Sequence, residues 1–177
     1  MEEIEVKILK VDRRQIEEKL VRLGANKVFD GQIESVFFDF KNHAIAKVRN
    51  LLRLRREDDK TILTFKKFLG NRAVKEVEEV EVIVSDIAKM KRILEFLGLS
   101  ETSSMEKHRV SYCIDQVRFD IDKYKRQYAY IPEFLEIEAE GAETIHKYAK
   151  LLGFTVGDCL PWSTEELVKY YSGKTSK

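Results

Sequence analysis

Charged residues recur at every second position in several short stretches of this chain. The first stretch, Glu3–Lys7, reads Glu-Ile-Glu-Val-Lys, so in a β-strand its three charged side chains share one face and Ile4 and Val6 share the other. Six further stretches alternate in the same way: Leu52–Arg55, Leu63–Lys66, Glu79–Val82, Lys107–Val110, Phe119–Asp122 and Leu135–Glu138. An ordinary half-buried strand also alternates, but the recurrence of charges with few Ser, Thr or Gln indicates faces that share a function.

The charges on these faces are of two chemical kinds. Arginine binds phosphate oxygens through its planar fork and lysine binds them as a point charge; the cations are Lys7, Arg53, Arg55, Lys66, Lys107 and Arg109. Carboxylates are hard oxygen ligands that suit Mg²⁺ or Mn²⁺; they are Glu3, Glu5, Glu79, Glu81, Asp122, Glu136 and Glu138. A polyphosphate that carries a divalent metal ion matches both sets.

A strand followed by a helix that ends in Leu-Gly occurs three times along the chain. In the first copy Asp12 can cap the helix, Gln15 stands three residues later, and Gly24 ends it. The pattern returns with Gly98 and Gly153 at the ends of the second and third helices. Because the same supersecondary unit is repeated, the helices are predicted to pack on strands of one sheet.

Further strands are predicted over 28–40, 51–56, 60–68, 102–114 and 116–122, with short connections that favour antiparallel pairing. A capping box of Ser163 and Glu166 opens a C-terminal helix. About eight strands, with helices and no Gly-rich phosphate loop, favour an α+β fold: an eight-stranded antiparallel β-barrel with helices packed outside. The charged faces then point inward, where Arg118 and Asp120 share the parity of Asp122 and are predicted to form a salt bridge or contact a ligand.

Composition limits the function classes. With 177 residues and 44% apolar residues, we expect one domain over 1–171 and a flexible tail over 172–177. The net charge is +1, which predicts no nucleic-acid or membrane partner, and the acidic N-terminus without a long apolar run predicts a cytoplasmic protein. Cys113 and Cys159 are interpreted as ordinary buried or half-buried thiols.

The motifs resemble those of the CYTH or triphosphate tunnel metalloenzyme superfamily, which includes class IV adenylate cyclases, thiamine triphosphatases and inorganic tripolyphosphatases. Glu3, Glu5 and Lys7 match its ExExK signature. The other matches follow in the family order: Arg53 and Arg55 in LRLR, Lys66 in LTFKK, Glu79 and Glu81 in EVEV, Lys107 and Arg109 in EKHR, Asp122, and Glu136 and Glu138 in FLEIE. The resemblance implies an eight-stranded antiparallel tunnel, in agreement with the predicted barrel.

The resemblance also implies a metal-dependent enzyme. Its carboxylates would line one wall and hold one or two Mg²⁺ or Mn²⁺ ions, and its cations would line another wall and hold a triphosphate. It implies catalytic roles for Glu5, Lys7 and Asp122. If water attacks the terminal phosphorus, the enzyme is a triphosphatase acting on tripolyphosphate, ATP or thiamine triphosphate; if the ribose 3′-hydroxyl of ATP attacks the α-phosphorus, it is an adenylate cyclase.

We favour hydrolysis, because the chain lacks the His-Phe extension of some cyclases and shows no adenine-reading motif, although Tyr130–Glu138 is similar to sequences labelled as cyclases. A non-catalytic polyphosphate- or nucleotide-binding module is a further alternative, against which the carboxylates argue. The oligomeric state is left open between monomer and homodimer.

Overall fold

The strands of the computed structural model join into one sheet. The structure describes residues 4–69 and 77–173, so Glu3 and residues 174–177 of the predicted tail lie outside the described residues. The strands are β1 (Ile4–Leu9), β2 (Asn26–Phe40), β3 (Leu51–Glu57), β4 (Lys60–Phe68), β5 (Val77–Val84), β6 (Leu99–Ile114), β7 (Val117–Tyr124) and β8 (Phe134–Ala139). The helices are α1 (Arg13–Arg22), α2 (Ile87–Phe96), α3 (Ala142–Leu151) and α4 (Thr164–Ser172), and short 3-10 turns occur at Ala46–Val48, Arg126–Tyr128 and Val156–Asp158.

The strand order is β1-β8-β7-β6-β2-β3-β4-β5, and the pairing is antiparallel. The predicted α+β fold with an eight-stranded antiparallel sheet is therefore confirmed. A pairing of β1 with β5 is not among those formed by the described residues. On β1 the second edge is used by Leu160, whose backbone exchanges two hydrogen bonds of 2.7 and 3.0 Å with Lys7.

The chain forms two compact units. One contains Met1–Gly31 and Lys107–Lys177 and is called the terminal unit; the other is Gln32–Glu106 and is called the central unit. The long strands β2 and β6 each contribute residues to both. Each unit has a core of its own, so the two are described separately.

The core of the terminal unit lies between one sheet face and the helices α1 and α3. Strand residues such as Val110, Phe119 and Ile137 are fully buried there against Leu20 and Ile145. Alternation along each strand turns the neighbouring residues to the opposite face, and these are the charged residues of the sequence motifs. The helix packing thus determines which face of the sheet carries the charges.

The core of the central unit is smaller and is formed with α2. Leu54 and Phe38 are buried together with Leu94 of that helix. The apolar face of β5 was predicted to pack against a helix, but Val80 and Val82 are 61% and 55% exposed. The reason is that α2 packs with residues of β2, β3 and β4, while β5 contributes only Val84 to this cluster.

The helix ends agree with the capping patterns. Asp12 accepts a hydrogen bond from the Gln15 N–H at 3.1 Å, and Gly24 has a φ of +86°, which a glycine adopts without strain. The Ser163 hydroxyl accepts the Glu166 N–H at 3.2 Å at the start of α4, completing the predicted capping box. In the described part of the chain, no helix is long and apolar enough to cross a membrane.

Candidate active site

The charged side of the terminal unit's sheet is built by cross-strand register. Between β1 and β8, Glu5 lies opposite Glu138 and Lys7 lies opposite Glu136. This alignment continues onto the next strand, because Glu136 lies opposite Asp120 on β7. The terminal charged face comprises Glu5, Lys7, Lys107, Arg109, Arg118, Asp120, Asp122, Glu136 and Glu138. Residues that are far apart in sequence thus become direct neighbours.

Lys7 is one centre of this face. Its side chain is only 1% exposed, and its Nζ lies 2.6 Å from Glu5 and 3.0 Å from Glu136. Burial alone would lower the pKa of Lys7, but the carboxylates of Glu136 and Glu5 raise it above its ordinary value. The backbone bonds to Leu160 hold this part of β1 in place. Lys7 is therefore a charged ammonium fixed between two carboxylates.

Arg109 is the second centre. Its Nε donates to Asp122 at 2.7 Å, and its Nη2 contacts both Asp122 and Glu136 at 2.5 Å. Its Nη1 donates to Asp120. Burial opposes its charge, but Asp122 and Glu136 raise the pKa of Arg109 well above its usual range. Its guanidinium is thus already held by three carboxylates.

Lys107 is held less tightly than Lys7. Its Nζ lies 2.6 Å from Asp122, a carboxylate with no exposed side-chain surface. Burial and the neighbouring Arg109 charge lower the pKa of Lys107, and the attraction of Asp122 and Glu136 does not fully offset them. A phosphate oxygen near Lys107 would favour its charged form.

Two residues outside the predicted site set complete the terminal charged face. Asp120 is 3% exposed and accepts hydrogen bonds from both Arg109 and Arg118, the latter at 3.0 Å. Arg118 also donates to the buried hydroxyl of Ser111 at 3.1 Å. The predicted Arg118–Asp120 salt bridge is confirmed. Sequence parity put Asp120 on this face, but its contact with Arg109 depends on a cross-strand diagonal that no motif contains.

The central unit has a charged side of its own. In its register Arg53 lies opposite Thr64, which lies opposite Glu81, and Lys66 lies opposite Glu79. The central charged face comprises Arg53, Arg55, Glu57, Thr64, Lys66, Glu79 and Glu81. The sequence motifs therefore bring these predicted residues together within one unit.

Ion pairing in the central charged face is looser around its arginines. Lys66 lies 2.6 Å from Glu79, but Arg53 and Arg55 lie 3.9 Å from Glu79 and 3.7 Å from Glu81. The Nε of Arg55 is buried and lies 3.1 Å from Glu57, yet its geometry makes no hydrogen bond. The guanidinium of Arg55 thus retains a donor for a further acceptor.

Glu81 is anchored by an uncharged residue. The fully buried Thr64 hydroxyl donates to Glu81 at 2.7 Å. Burial would raise the pKa of Glu81, but the Thr64 hydrogen bond and the charges of Arg55 and Arg53 lower it. Thr64 was absent from the predicted site, although its inward parity between Arg53 and Glu81 was readable once the register was known.

Cations and carboxylates are interleaved on both faces. The resemblance implies one wall of cations and another of carboxylates, and in this respect the expectation is wrong. The structure instead pairs Lys7 with Glu136, Arg109 with Asp122, and Lys66 with Glu79. The physical reason is that pairing keeps buried charges from being left uncompensated, which is strongly unfavourable.

The carboxylates of β1 and β8 have the chemistry of a divalent metal site. Glu5 and Glu138 are directly opposed, and Glu136 follows on the same face. Opposed like charges destabilise a sheet, whereas a hard cation between their oxygens would relieve the repulsion. Within the described residues no three such side chains converge in metal-binding geometry, because Lys7 holds Glu5 and Glu136. The donor set fits Mg²⁺ or Mn²⁺ if the Lys7 contacts are exchanged.

The antiparallel α+β fold carries sheet faces rich in cations and carboxylates. Such faces suit a protein that binds an anionic ligand. Residues 1–151 match the model of the CYTH domain. The chain belongs to the CYTH domain family, whose members are triphosphatases or adenylate cyclases, and it is an enzyme of this type.

Relatives of known sequence or structure agree with this family. A protein of Methanocaldococcus jannaschii named "Putative adenylate cyclase" is 28% identical over 138 residues, which cover 78% of this chain and 77% of that protein. The PH1012 protein from Pyrococcus horikoshii is 27% identical, with a TM-score of 0.75, and the match covers 93% of this chain and 98% of that one.

A more distant structure has the same fold. HpAC1 from Hippeastrum, an adenylyl cyclase candidate described with a dominant triphosphatase activity, is 17% identical with a TM-score of 0.67. The match covers 96% of each chain. At this identity the likeness concerns the fold alone.

Proposed function

We propose that this protein is a metal-dependent triphosphatase that hydrolyses the terminal phosphoanhydride bond of a triphosphate. The observation that carries the proposal is the β1–β8 register, in which Glu5 opposes Glu138 while the buried Lys7 opposes Glu136. One strand pair thereby supplies oxygen ligands for a metal ion and an ammonium for a phosphate oxygen. A module that only bound phosphate would need the cations without the opposed carboxylates.

The terminal charged face supplies the metal-binding and reactive groups. Glu5, Glu136 and Glu138 would hold Mg²⁺ or Mn²⁺, which supplies charge neutralisation at the phosphate oxygens when bound. Lys7 then turns from its carboxylates to a phosphate oxygen. Glu5 is 44% exposed, so the carboxylate oxygen that does not bind the metal ion is accessible to an attacking water and can orient it by accepting its hydrogen bond.

Buried residues of the same face position these groups. Asp122 has no exposed side-chain surface and is held by Lys107 and Arg109, so it acts by orienting those two cations. Lys107 pairs with Asp122 at 2.6 Å and would be a second phosphate ligand beside Lys7, because burial and the Arg109 charge disfavour its charged form in the absence of a phosphate. Arg109 contributes mainly by fixing Glu136.

The central charged face, taken by itself, also has the chemistry to bind phosphate oxygens. Arg55 has a buried Nε without a hydrogen bond, and its Nη2 is 3.7 Å from Glu81. Phosphate oxygens offer the short, charge-assisted bonds that this geometry lacks. Arg53 and Lys66 join Arg55 as phosphate ligands, while Glu79 and Glu81 hold these cations and remain candidates for a second metal ion.

The second candidate function is adenylate cyclase, which the name of the Methanocaldococcus jannaschii relative favours. The two reactions use the same triphosphate contacts and differ in the nucleophile. Hydrolysis requires only a water, whereas cyclisation requires the ribose to be held with its 3′-hydroxyl aligned to the α-phosphorus. HpAC1 is described as a cyclase candidate with a dominant triphosphatase activity, so a cyclase name does not by itself decide between the two reactions in this fold.

The test is a product assay with tripolyphosphate, ATP and thiamine triphosphate in Mg²⁺ or Mn²⁺. We expect orthophosphate from tripolyphosphate at least as efficiently as from ATP, and no activity in EDTA. Equal amounts of cyclic AMP and pyrophosphate from ATP, with tripolyphosphate intact, would establish the cyclase instead. No product from any substrate would favour a binding module.

A further inference from the structure

Two carboxylates lie directly opposite each other on the terminal charged face. Asp120 on β7 is opposite Glu136 on β8; Asp120 is buried and the side chain of Glu136 is 14% exposed. Like charges that face each other across neighbouring strands repel, and burial strengthens the repulsion. The pair therefore needs a cation between its members. Arg109 supplies it, because its guanidinium contacts both carboxylates.

Arg109 binds the opposed carboxylates with two different nitrogens. Its Nη1 donates to Asp120, and its Nη2 donates to Glu136 at 2.5 Å. Its Nε and Nη2 also bind Asp122, at 2.7 and 2.5 Å, which fixes one edge of the guanidinium plane. The contact of Nη1 with Asp120 adds a second anchor that opposes tilting about this edge. Asp120 thereby keeps Nη2 directed at Glu136.

Asp120 has an anchor of its own. The Nε of Arg118 lies 3.0 and 3.1 Å from the two oxygens of Asp120. Arg118 is fixed in turn by the hydroxyl of Ser111, which lies directly opposite Asp120 on β6. The orientation of Asp120 therefore does not depend on Arg109 alone. A buried carboxylate that one arginine orients can orient the other.

Glu136 is held by a different cation at each oxygen. Its Oε2 accepts from Arg109, whereas its Oε1 lies 3.0 Å from the Nζ of Lys7. If Lys7 turns to a phosphate oxygen, Oε1 loses its cation while Oε2 keeps its own. Glu136 would then offer Oε1 to a metal ion, and the direction of that oxygen depends on the contact of Oε2 with Arg109.

We propose that Asp120 is a positioning residue of the metal site: by fixing Arg109, it directs one oxygen of Glu136 at the metal ion. The proposal rests on the proposed function, which makes Glu136 a metal ligand, and adds a residue that contacts neither the metal ion nor the phosphate. Groups that orient a metal ligand by hydrogen bonding typically change metal affinity about ten- to a hundredfold when they are removed.

The test measures Mn²⁺ binding by calorimetric titration, with and without a non-hydrolysable imido analogue of tripolyphosphate. Binding of Mn²⁺ to the analogue alone is titrated separately. The full-length protein is compared with Asp120→Ala and with Asp120→Asn, which keeps an oxygen that can accept from Arg109 but lacks the charge. The control is Glu17→Gln, a change on α1 that removes a charge bound by Tyr112 and Arg13 outside the terminal charged face.

We expect the Kd for Mn²⁺ to rise about tenfold in Asp120→Ala and about threefold in Asp120→Asn, and to stay unchanged in Glu17→Gln. In steady-state assays the Mg²⁺ concentration that gives half the maximal rate should rise in the same order. The KM for tripolyphosphate at saturating Mg²⁺ should change little, because Asp120 acts on a metal ligand.

An unchanged Kd in Asp120→Ala would overturn the inference, and if that variant does not fold, an unchanged Kd in Asp120→Asn overturns it equally. So would an equal loss of Mn²⁺ affinity in Glu17→Gln, since any loss of stability would then suffice. Failure of the proposed function looks different. A wild type that binds Mn²⁺ without releasing orthophosphate removes the hydrolysis and leaves the titrations to decide on Asp120, whereas a wild type that binds no Mn²⁺ in either condition removes the metal site and the inference with it.

Discussion

The two charged faces contain the same residue types but hold them differently. In the terminal charged face, Lys7 and Arg109 are buried and each contacts two or more carboxylates within 3.0 Å. In the central charged face, Arg53 and Arg55 lie 3.9 and 3.7 Å from Glu79 and Glu81. The terminal face is an assembled ion network, whereas Arg55 of the central face has a buried Nε that makes no hydrogen bond.

This difference has a consequence for how each face contributes to the protein. Removing one member of a buried ion network leaves its partners uncompensated and destabilises the fold. Loosely paired, partly exposed charges contribute little to stability and can change partners when a ligand arrives. We therefore expect changes in the terminal face to affect folding and catalysis together, and changes in the central face to affect substrate binding and turnover with little effect on stability.

Asp120→Ala should have the largest effect on stability. Asp120 is buried and receives Arg109 and Arg118, so its removal should lower the free energy of unfolding by about 3 kcal/mol. The matched change in the central face is Glu79→Ala, which should cost about 1 kcal/mol or less. Urea denaturation of both variants measures this contrast, and equal losses would mean that the two faces do not differ as described.

Glu5→Gln should lower turnover more than tenfold and weaken the dependence on Mg²⁺, because it keeps the shape of the side chain but removes a charged oxygen ligand. Glu136→Gln should do the same, with an added loss of stability from its contacts with Lys7 and Arg109. The control is Glu34→Gln, a 47% exposed carboxylate paired with Arg56. The measurement is the rate of each variant across a Mg²⁺ titration. Full activity in both site variants would refute the metal assignment.

Arg55→Ala should raise KM for all triphosphates several-fold and lower kcat by a smaller factor, since lost charge stabilisation in the transition state appears in both constants. Its thermal stability should be unchanged or slightly higher, because like charges in Arg53 and Arg55 no longer repel. Arg56→Ala is the matched control, since Arg56 is adjacent, 49% exposed and paired with Glu34 on the other side of the strand. Unchanged kinetics with every substrate would remove Arg55 from the site.

A second ion cluster of the terminal unit serves as a control. Its disruption shows whether the loss of any charge network in this unit lowers activity. Glu17 of α1 accepts hydrogen bonds from Tyr112 and Arg13 and lies 3.0 Å from Lys27. Burial would raise the pKa of Glu17, but the Tyr112, Arg13 and Lys27 contacts lower it to about 2. A depressed folded-state pKa stabilises the protein above the unfolded-state value of about 4.3 and loses that contribution as pH falls toward 2.

Glu17→Gln should accordingly be less stable than the wild type at pH 7 by about 1 kcal/mol, with unchanged kinetics. The difference in unfolding free energy should shrink as pH falls from 5 to 2. Denaturation at a series of pH values measures it, and a difference that stayed constant over this range would show that the Glu17 charge is not the cause.

The sequence predicted the strands, the helix caps and the charged faces because these depend on local periodicity. Strand β4 begins and ends where it was predicted, whereas β6 begins three residues earlier at Leu99. The cross-strand neighbours of each residue could not be predicted from the sequence, because a shift of the register by one residue changes every neighbour. The contact of Asp120 with Arg109 depends on that register. So does the alignment of Arg55, Ile62 and Ile83 on three neighbouring strands.

Other differences arise from packing that no strand pattern contains. The exposure of Val80 and Val82 depends on where α2 lies on the sheet of the central unit. The loop after β7 packs on its own flanking strands: Lys123 donates to the carbonyl of Ile131, and Tyr124 stacks on Phe134. Cys113 and Cys159 are free and half-buried, as expected.

The attack of water on the terminal phosphorus is the central claim, and isotope labelling tests it directly. Tripolyphosphate or ATP is incubated with the protein and Mg²⁺ in H₂¹⁸O, and the products are analysed by mass spectrometry. We predict that one ¹⁸O atom enters the released orthophosphate in each turnover. None should enter the pyrophosphate that remains from tripolyphosphate or the ADP that remains from ATP. Cyclic AMP and pyrophosphate formed from ATP without ¹⁸O, and no labelled orthophosphate from tripolyphosphate, would contradict the account.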